Sequence, residues 1–360
     1  GEGSYTHGLF SALSELGEDA CVITGGVSKG LEPESNVIRV PVIDKSPFGL
    51  FSFGIESRKA IKKLLNDKEI DLIHHTTDYQ YLQRFDVPMV ATVHHPYAAE
   101  GRMIKENLSF SDYLHYLIYR RIGFVERVNK KICERVDRII AVSNYTAERI
   151  NEEYNVPPEK IAVIPNAVDT ERFNPSVDGD RIKERFDLQS DVILFVGRLD
   201  HTKGVQYLVE AFSMIVKENP DAKLVIVGNG PMMRSLKNKK SIILAGSVSD
   251  TELPYFYAAS DVVVLPSLME GFGIVLLEAM ATGKPCIAAR AGGTEDVIED
   301  GITGFFVPVA DVRMLYDRIL TILSDKNLAK KLGNAGRKRV EERFTWEKIA
   351  EKTINVYRTI

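Results

Sequence analysis

The chain has 360 residues, 44% of them hydrophobic and 27% charged, and a formal net charge of −4. That length suits two domains of about 150–180 residues each, and the balance of apolar and charged residues is that of a soluble globular protein. The mild negative charge argues against a general nucleic-acid binder, and no apolar run approaches the ~18 residues that a membrane-spanning helix needs.

The sequence opens at Gly1 on a glycine-rich turn, Gly1-Glu2-Gly3-Ser4, that leads into a helix near Tyr5–Leu16. An α/β domain places a strand before such a turn, so the expectation is that a first strand precedes Gly1 and is absent from the sequence given. Short apolar runs then predict strands at Ala20–Thr24, Asn36–Val40, Asp71–His74, Pro88–Val93, Arg138–Val142 and Ile161–Ile164. Helical patterns lie near Ile55–Leu65, Tyr113–Arg135 and Tyr145–Tyr154. A seam falls near Pro165–Ser190, where Asn174 to Asp180 is polar and rich in turn residues.

Beyond the seam the alternation is cleaner. Strands are predicted at Val192–Val196, Lys223–Val227, Ile242–Leu244, Val262–Leu265 and Cys286–Ala288, and helices near Val205–Glu218, Met232–Leu236, Thr251–Ala258 and Ile274–Ala281. After about Val309 the pattern is helical to the end, with the single tryptophan, Trp346, in an amphipathic stretch suited to packing back across the seam. Continuous apolar strands separated by helices mean parallel sheet covered on both faces. The theme occurs twice, which gives an α/β chain of two Rossmann-like parallel-sheet domains facing across a cleft. The expected bounds are 1–168 and 169–342, with 343–360 a helix returning to the first domain. Ligands in such sheets bind at the C-terminal ends of the strands.

Cys21, Cys133 and Cys286 are scattered, with no Cys-x-x-Cys. Two sit in apolar strand-like runs, which reads as small buried hydrophobes in a reducing compartment, the cytoplasm by default. Tyr113–Arg138 interleaves seven basic residues with apolar ones. An ordinary surface helix docked on its sheet accounts for this, and a peripheral contact with the inner face of an anionic membrane is the second reading.

The most informative segment is Glu270-Gly-Phe-Gly-Ile-Val-Leu-Leu-Glu278. Ile274–Ala281 is apolar almost all round, the mark of a buried helix, and Gly283 and Pro285 end it. A carboxylate inside such a helix is costly unless something pairs with it, so Glu278 has a role. Gly271 and Gly273 free the backbone ahead of the helix to bring N–H groups near a ligand, where the helix dipole is positive. Arg198 and Lys203 follow the first strand of the second half, a natural place to meet a diphosphate; the plainer reading is two solvated cations. Val227-Gly228-Asn229-Gly230-Pro231 is another strand-end turn, and the stretch after Ala245, with Val248, offers backbone groups to a nucleobase edge or simply caps the next helix. Asp178-Gly179-Asp180 imitates a metal-binding Asp-x-Asp but lies in the seam loop and reads as a turn. Adjacent histidines, His74-His75 and His94-His95, point to opposite faces of a strand and cannot clasp one ion together.

The ordered set Gly197-Arg198-Leu199 with Lys203-Gly204, Gly228-Asn229-Gly230-Pro231, Asp261 with Leu265-Pro266-Ser267, the two glutamates and Ala291-Gly292-Gly293 resembles retaining glycosyltransferases of family 4, with the GT-B fold. In the first half, Gly1, Thr92-Val93-His94, Arg138–Ser143 and Ile164–Asp169 extend the likeness. The resemblance implies transfer of a hexosyl group from a nucleoside-diphosphate sugar to a sugar, lipid or small molecule held by the first domain. It also implies no metal or other cofactor. A UDP-sugar is expected ahead of GDP-mannose, although base recognition in such loops is largely by backbone and the residues leave the base open.

By the same resemblance Arg198 and Lys203 hold the diphosphate, with Gly1 approaching it. Glu270 binds hydroxyls of the donor sugar beside the N–H groups of Phe272, Gly273 and Ile274. The N–H of Val275 touches phosphate, Glu278 takes the ribose hydroxyls, and His94 reaches the transferred sugar. Retention is implied by the family; with no carboxylate placed as a covalent nucleophile, front-face attack is the expected route. Two alternatives stand beside this reading: a nonhydrolysing sugar-nucleotide epimerase, and an inactive two-lobed sugar-nucleotide-binding protein.

Overall fold

A computed structural model describes residues 2–25, 36–42, 48–76, 85–95, 122–237, 239 and 241–360. Gly1 and residues 113–121 of the basic stretch lie outside the described residues. The chain forms two compact units. The first runs to Pro165 and also takes Trp346–Ile360, and the second covers Asn166–Thr345.

In the first unit, α1 (Glu2–Glu15) precedes two short strands, β1 (Val22–Gly25) and β2 (Val37–Val40), which pair in parallel as a separate sheet. After α2 (Phe48–Asp67) come β3 (Ile73–His75), β4 (Met89–Val93), β5 (Arg138–Ala141) and β6 (Ile161–Val163), a parallel four-stranded sheet in that order. The helix α3 (Ile122–Arg135) buries Val128, Ile132 and Cys133 and leaves Arg127, Lys130, Lys131 and Glu134 exposed. That is the helical spacing of one docked face, so the side chains of Val128, Ile132 and Cys133 belong to the core. The helix α4 (Asn144–Tyr154) starts at Ser143, whose hydroxyl accepts from the Thr146 N–H at 3.0 Å, and stops at Asn155 in a left-handed conformation.

The terminal helix Trp346–Tyr357 returns to α1, with Ala350 and Ile354 against Tyr5, Leu9, Ala12 and Leu13. A polar chain crosses this contact. Tyr357 Oη meets His74 Nδ1 at 2.6 Å, His74 Nε2 meets Thr92 Oγ1 at 2.8 Å, and Thr92 meets Tyr5 Oη at 3.3 Å. Burial lowers the His74 pKa to about 3, so its imidazole is neutral. Edge residues of both sheets, Val22 and Ile23 of β1 and Ile73 and His74 of β3, line a cavity of about 530 Å³.

The second unit holds one six-stranded parallel sheet. Its strands are β7 (Val192–Val196), β8 (Lys223–Val227), β9 (Ile242–Gly246), β10 (Val262–Leu265), β11 (Cys286–Ala289) and β12 (Gly304–Val307). Their order across the sheet is β12-β11-β10-β7-β8-β9. Strands β7, β10 and β11 are buried along their whole length because helices cover both faces. The helices are α5 (Asp180–Phe186), α6 (Val205–Glu218), α7 (Met233–Leu236), α8 (Leu253–Ala259), α9 (Ile274–Ala281), α10 (Thr294–Val297), α11 (Val312–Ser324) and α12 (Lys326–Arg343).

Three sequence expectations change. Cys133 and Cys286 are buried, but Cys21 is exposed, because β1 begins at Val22, two residues later than expected, and is only half-buried. Strand β12 lies where no strand was expected, and the polar seam contains α5. Asp178 Oδ1 accepts from the Asp180 N–H at 2.9 Å, a turn that opens α5.

Gly8 of α1 faces the Trp346 ring so closely that an added Cβ would lie 2.1 Å from it. In an open helix Gly→Ala gains about 1 kcal/mol. Here overpacking, at about 1–3 kcal/mol, outweighs that gain. Denaturant melts of Gly8→Ala are expected to show a loss of stability and a red-shifted Trp346 fluorescence as the terminal helix loosens. A second expectation concerns pH. His74 and His94 have folded pKa values of about 3 and 4, below the ordinary 6.5, so between pH 6.5 and 4 the unfolded chain binds more protons. Stability falls on acidification through that window by about 1.4 kcal/mol per pH unit per histidine. Melts at pH 7, 6 and 5 are expected to show a shallower fall for His74→Gln than for the unmodified chain.

Candidate functional site

The strand order of the second unit reverses between β7 and β10, since β8 and β9 lie to one side of β7 and β11 and β12 beyond β10. The loops leaving β7 and β10 at their C-terminal ends therefore part, and an open parallel sheet takes its ligand at such a place. Arg198 and Lys203 are on the first loop and Glu270 is on the second.

The β7 loop is built by Asp200. One of its oxygens accepts from the Thr202 N–H at 3.0 Å, which caps the short turn His201–Lys203, and the other pairs with Arg198 Nη2 at 2.9 Å. The Thr202 carbonyl then accepts from the Leu268 N–H at 2.8 Å, fixing this loop to the one after β10. Lys203 Nζ meets Glu270 Oε1 at 2.7 Å, and Ser267 Oγ donates to the same oxygen at 2.7 Å. Glu270 is 9% exposed and Ser267 is fully buried, so the carboxylate is held by a cation and a hydroxyl that together offset its desolvation.

Glu270 is also fixed through its backbone. Its N–H donates to the Ala291 carbonyl and its own carbonyl accepts from the Gly293 N–H, both at 2.9 Å. The segment Ala291-Gly292-Gly293 thus braces the loop after β10. Phe272 is buried edge-on against Phe344, their centroids 6.0 Å apart, so its side chain is core and only its backbone is available to a ligand. Gly273 has φ 98°, a left-handed conformation that sets the chain into α9. Ile274 and Val275 open α9, where N–H groups lack partners inside the helix.

About one turn along α9, Glu278 is held from α8. Tyr257 Oη donates to Glu278 Oε2 at 2.6 Å. Burial raises the Glu278 pKa; the Tyr257 hydrogen bond and Arg172 act the other way. The β8 and β9 loops are laced to the β7 loop. The Gly228 N–H donates to the Gly246 carbonyl at 2.8 Å, and the Leu199 N–H to the Asn229 carbonyl at 2.9 Å. Gly228 has φ 135°, and an added Cβ would lie 1.9 Å from the Gly197 carbonyl oxygen, so only glycine fits. Val248, half-buried, lies between β9 and α8.

The structure thus joins Lys203 to Glu270 directly, puts Arg198 on the Lys203 loop, and ties Glu278 to Tyr257. His94 belongs to the first unit. Its Nε2 lies 3.1 Å from the Thr76 carbonyl and its ring packs edge-on against Tyr5 at 4.6 Å. Burial lowers its pKa to about 4, leaving the imidazole neutral. Gly1 is outside the described residues. Ser267, Tyr257 and Asp200 had no assigned role from sequence. A hydroxyl three residues before Glu270 was a usable signal for Ser267, whereas nothing local marks Tyr257. Among the described residues no group of three or more His, Cys, Asp or Glu comes together in a way that could hold a metal, and no helix is long and apolar enough to cross a membrane.

Comparison with known proteins places this architecture. The family described as "Glycosyltransferase Family 4" matches residues 1–172, and "Glycosyl transferases group 1" matches 177–339. A UDP-Gal:alpha-D-GlcNAc-diphosphoundecaprenol alpha-1,3-galactosyltransferase of Escherichia coli is 33% identical over 78% of this chain and 75% of its own length. The chain belongs to glycosyltransferase family 4. It is a glycosyltransferase with two Rossmann-like units in the GT-B class. An MMP alpha-(1->4)-mannosyltransferase of Mycolicibacterium hassiacum is 29% identical over 99% of this chain and 94% of that protein. Among solved structures, the sucrose-phosphate synthase of Thermosynechococcus elongatus superposes with a TM-score of 0.81 at 26% identity, covering 100% of this chain and 93% of that one.

The Lys203–Glu270 pair is mostly buried, with side-chain exposures of 20% and 11%. Removing one partner strands the other, at about 3 kcal/mol. Lys203→Met is expected to lower unfolding stability by about that amount in urea. The double variant Lys203→Met/Glu270→Gln is expected to recover more than half of it, because no buried charge is left unpaired.

Proposed function

We propose that this glycosyltransferase moves a hexosyl group from a nucleoside-diphosphate sugar to a hydroxyl of a sugar, lipid or small-molecule acceptor, with retention of configuration and without a metal. The observation that carries this reading is the Lys203–Glu270 pair at the point where strand order reverses, next to the first turn of α9. A diphosphate needs fixed positive charge. Arg198, Lys203 and the N–H groups of Phe272, Gly273, Ile274 and Val275 supply it without reorganising at the moment of reaction. Glu270 uses Oε1 on Lys203 and Ser267, which leaves Oε2 for hydroxyls of the donor sugar. Glu278 accepts from the ribose hydroxyls, and backbone at Gly228 and Val248 borders the base.

In the transfer step the bond between the anomeric carbon and the phosphate oxygen breaks as the acceptor oxygen bonds to that carbon on the same face. The acceptor's proton passes to the departing phosphate oxygen, and the new charge rests against Arg198, Lys203 and the helix tip. Both curated relatives carry "alpha" linkages in their names. An α linkage made from an α-glycosyl phosphate keeps its configuration, which supports retention. A UDP-sugar is preferred over GDP-mannose in this reading because one relative's name specifies UDP-Gal.

A thermal-shift screen of UDP- and GDP-sugars, followed by NMR of the products, tests the reading. A donor present at 100 times its dissociation constant adds about 2.7 kcal/mol, which gives a clear rise in melting temperature. Arg198→Ala and Lys203→Ala are each expected to lower kcat about 10²–10³-fold, and Glu270→Gln to lower it without trapping a glycosyl adduct. Failure of every nucleotide sugar to raise the melting temperature would end the proposal. Epimerised donor formed with no acceptor present would replace it with the epimerase reading.

A further inference from the structure

Glu278 could recognise ribose with both oxygens, yet one is already taken. Tyr257 sits in α8, fully buried, with its ring edge-on to Phe173 at a centroid distance of 5.8 Å and its hydroxyl 2.6 Å from Glu278 Oε2. Phe173 in turn lies under the Arg172 guanidinium, 4.7 Å from its ring centre. The phenol therefore has no freedom to swing away: packing fixes the ring, and the ring fixes the carboxylate. Among the described residues no hydrogen bond is made to Glu278 Oε1.

We propose that Tyr257 is a positioning residue for nucleotide recognition, holding Oε2 of Glu278 so that Oε1 meets the hydroxyl pair of a ribose. This rests on the assignment of Glu278 to the ribose made above. An unbound glutamate on a buried helix samples several rotamers, and each must be given up on binding. A short bond from a packed phenol removes that cost in advance. The same bond favours the ionised carboxylate, the better acceptor for a hydroxyl. Among the described residues, the charged and titratable groups that act on this pair are Arg172 on the loop after β6, Asp250 on the loop after β9 and Cys286 at the start of β11. Arg172 supports the anion and Asp250 opposes it.

The test compares UDP, GDP and their 2′,3′-dideoxy analogues by calorimetric titration against the full chain and the variants Tyr257→Phe and Glu278→Gln. Tyr257→Phe deletes one oxygen and keeps the packed ring. It is expected to weaken the ribonucleotide about tenfold, the order of one hydrogen bond to a charged group, and to leave the dideoxy analogue within about twofold. The ratio of two affinities on one preparation does not depend on the folded fraction. Acidification is expected to erode the ribonucleotide advantage at a higher pH in Tyr257→Phe than in the unmodified chain, since the carboxylate has lost the donor that kept it ionised. If Tyr257→Phe weakens both nucleotides equally, or neither, the positioning role is overturned while the ribose assignment stands. If Glu278→Gln itself fails to distinguish ribo from dideoxy nucleotides, the ribose assignment falls and the proposal with it.

Discussion

A carboxylate at the end of a fully buried strand is costly unless its charge is answered on the spot. In this chain the answer comes from a different loop. Glu270, after β10, is met by Lys203, after β7, and the hydroxyl of Ser267 shares the same oxygen. The pair can form only because β7 and β10 are neighbours whose connections leave in opposite directions. Sheet topology thus places the charges, and the charges in turn hold the two loops together. The backbone bond from Leu268 to Thr202 and the bracing of Glu270 by Ala291 and Gly293 make the arrangement stiff.

Stiffness matters to the proposed function, in which the site works by fixed dipoles and charges. A cation that must find its place during a reaction loses much of its effect to reorganisation, whereas one already held keeps it. The β8 and β9 loops contribute to the same end. Gly228 is hydrogen-bonded to Gly246 and lies against the backbone at Gly197, so the three strand ends after β7, β8 and β9 are tied together.

Much of this was legible in the sequence. In the second unit, β7, β8, β10, α6 and α9 fall on their predicted residues, because full burial makes strands read as unbroken apolar runs and glycine and proline punctuate them. The first unit is less regular: β1 is half-buried and begins two residues later than expected, so composition marks its start weakly. Strand β12, Gly-Phe-Phe-Val, was not singled out in the sequence, and its pairing with β11 is what makes it a strand. At the site, Glu278 stood out as a carboxylate inside an apolar helix, Glu270 as an acid ahead of that helix, and Arg198 and Lys203 as cations on a strand-to-helix loop. Tyr257 did not. A tyrosine on the apolar face of a helix looks like core, and its partner is 21 residues away in sequence. Side-chain hydrogen bonds between elements are set by packing, which a linear pattern does not encode.

The ion pairs also bear on how an anion enters. Lys203 offers three N–H donors and Arg198 five. In this structure the lysine ammonium contacts Glu270 and the Arg198 guanidinium contacts Asp200. Both cations therefore keep donors for a diphosphate while their carboxylate partners hold them in place. The alternative, in which the anion must first displace Glu270 from Lys203, would expose a buried carboxylate with only Ser267 to satisfy it. That state costs several kcal/mol, a large share of any binding energy. Addition beside the pair is the lower path, and under the proposed function it keeps Glu270 oriented by the lysine assigned to the phosphate.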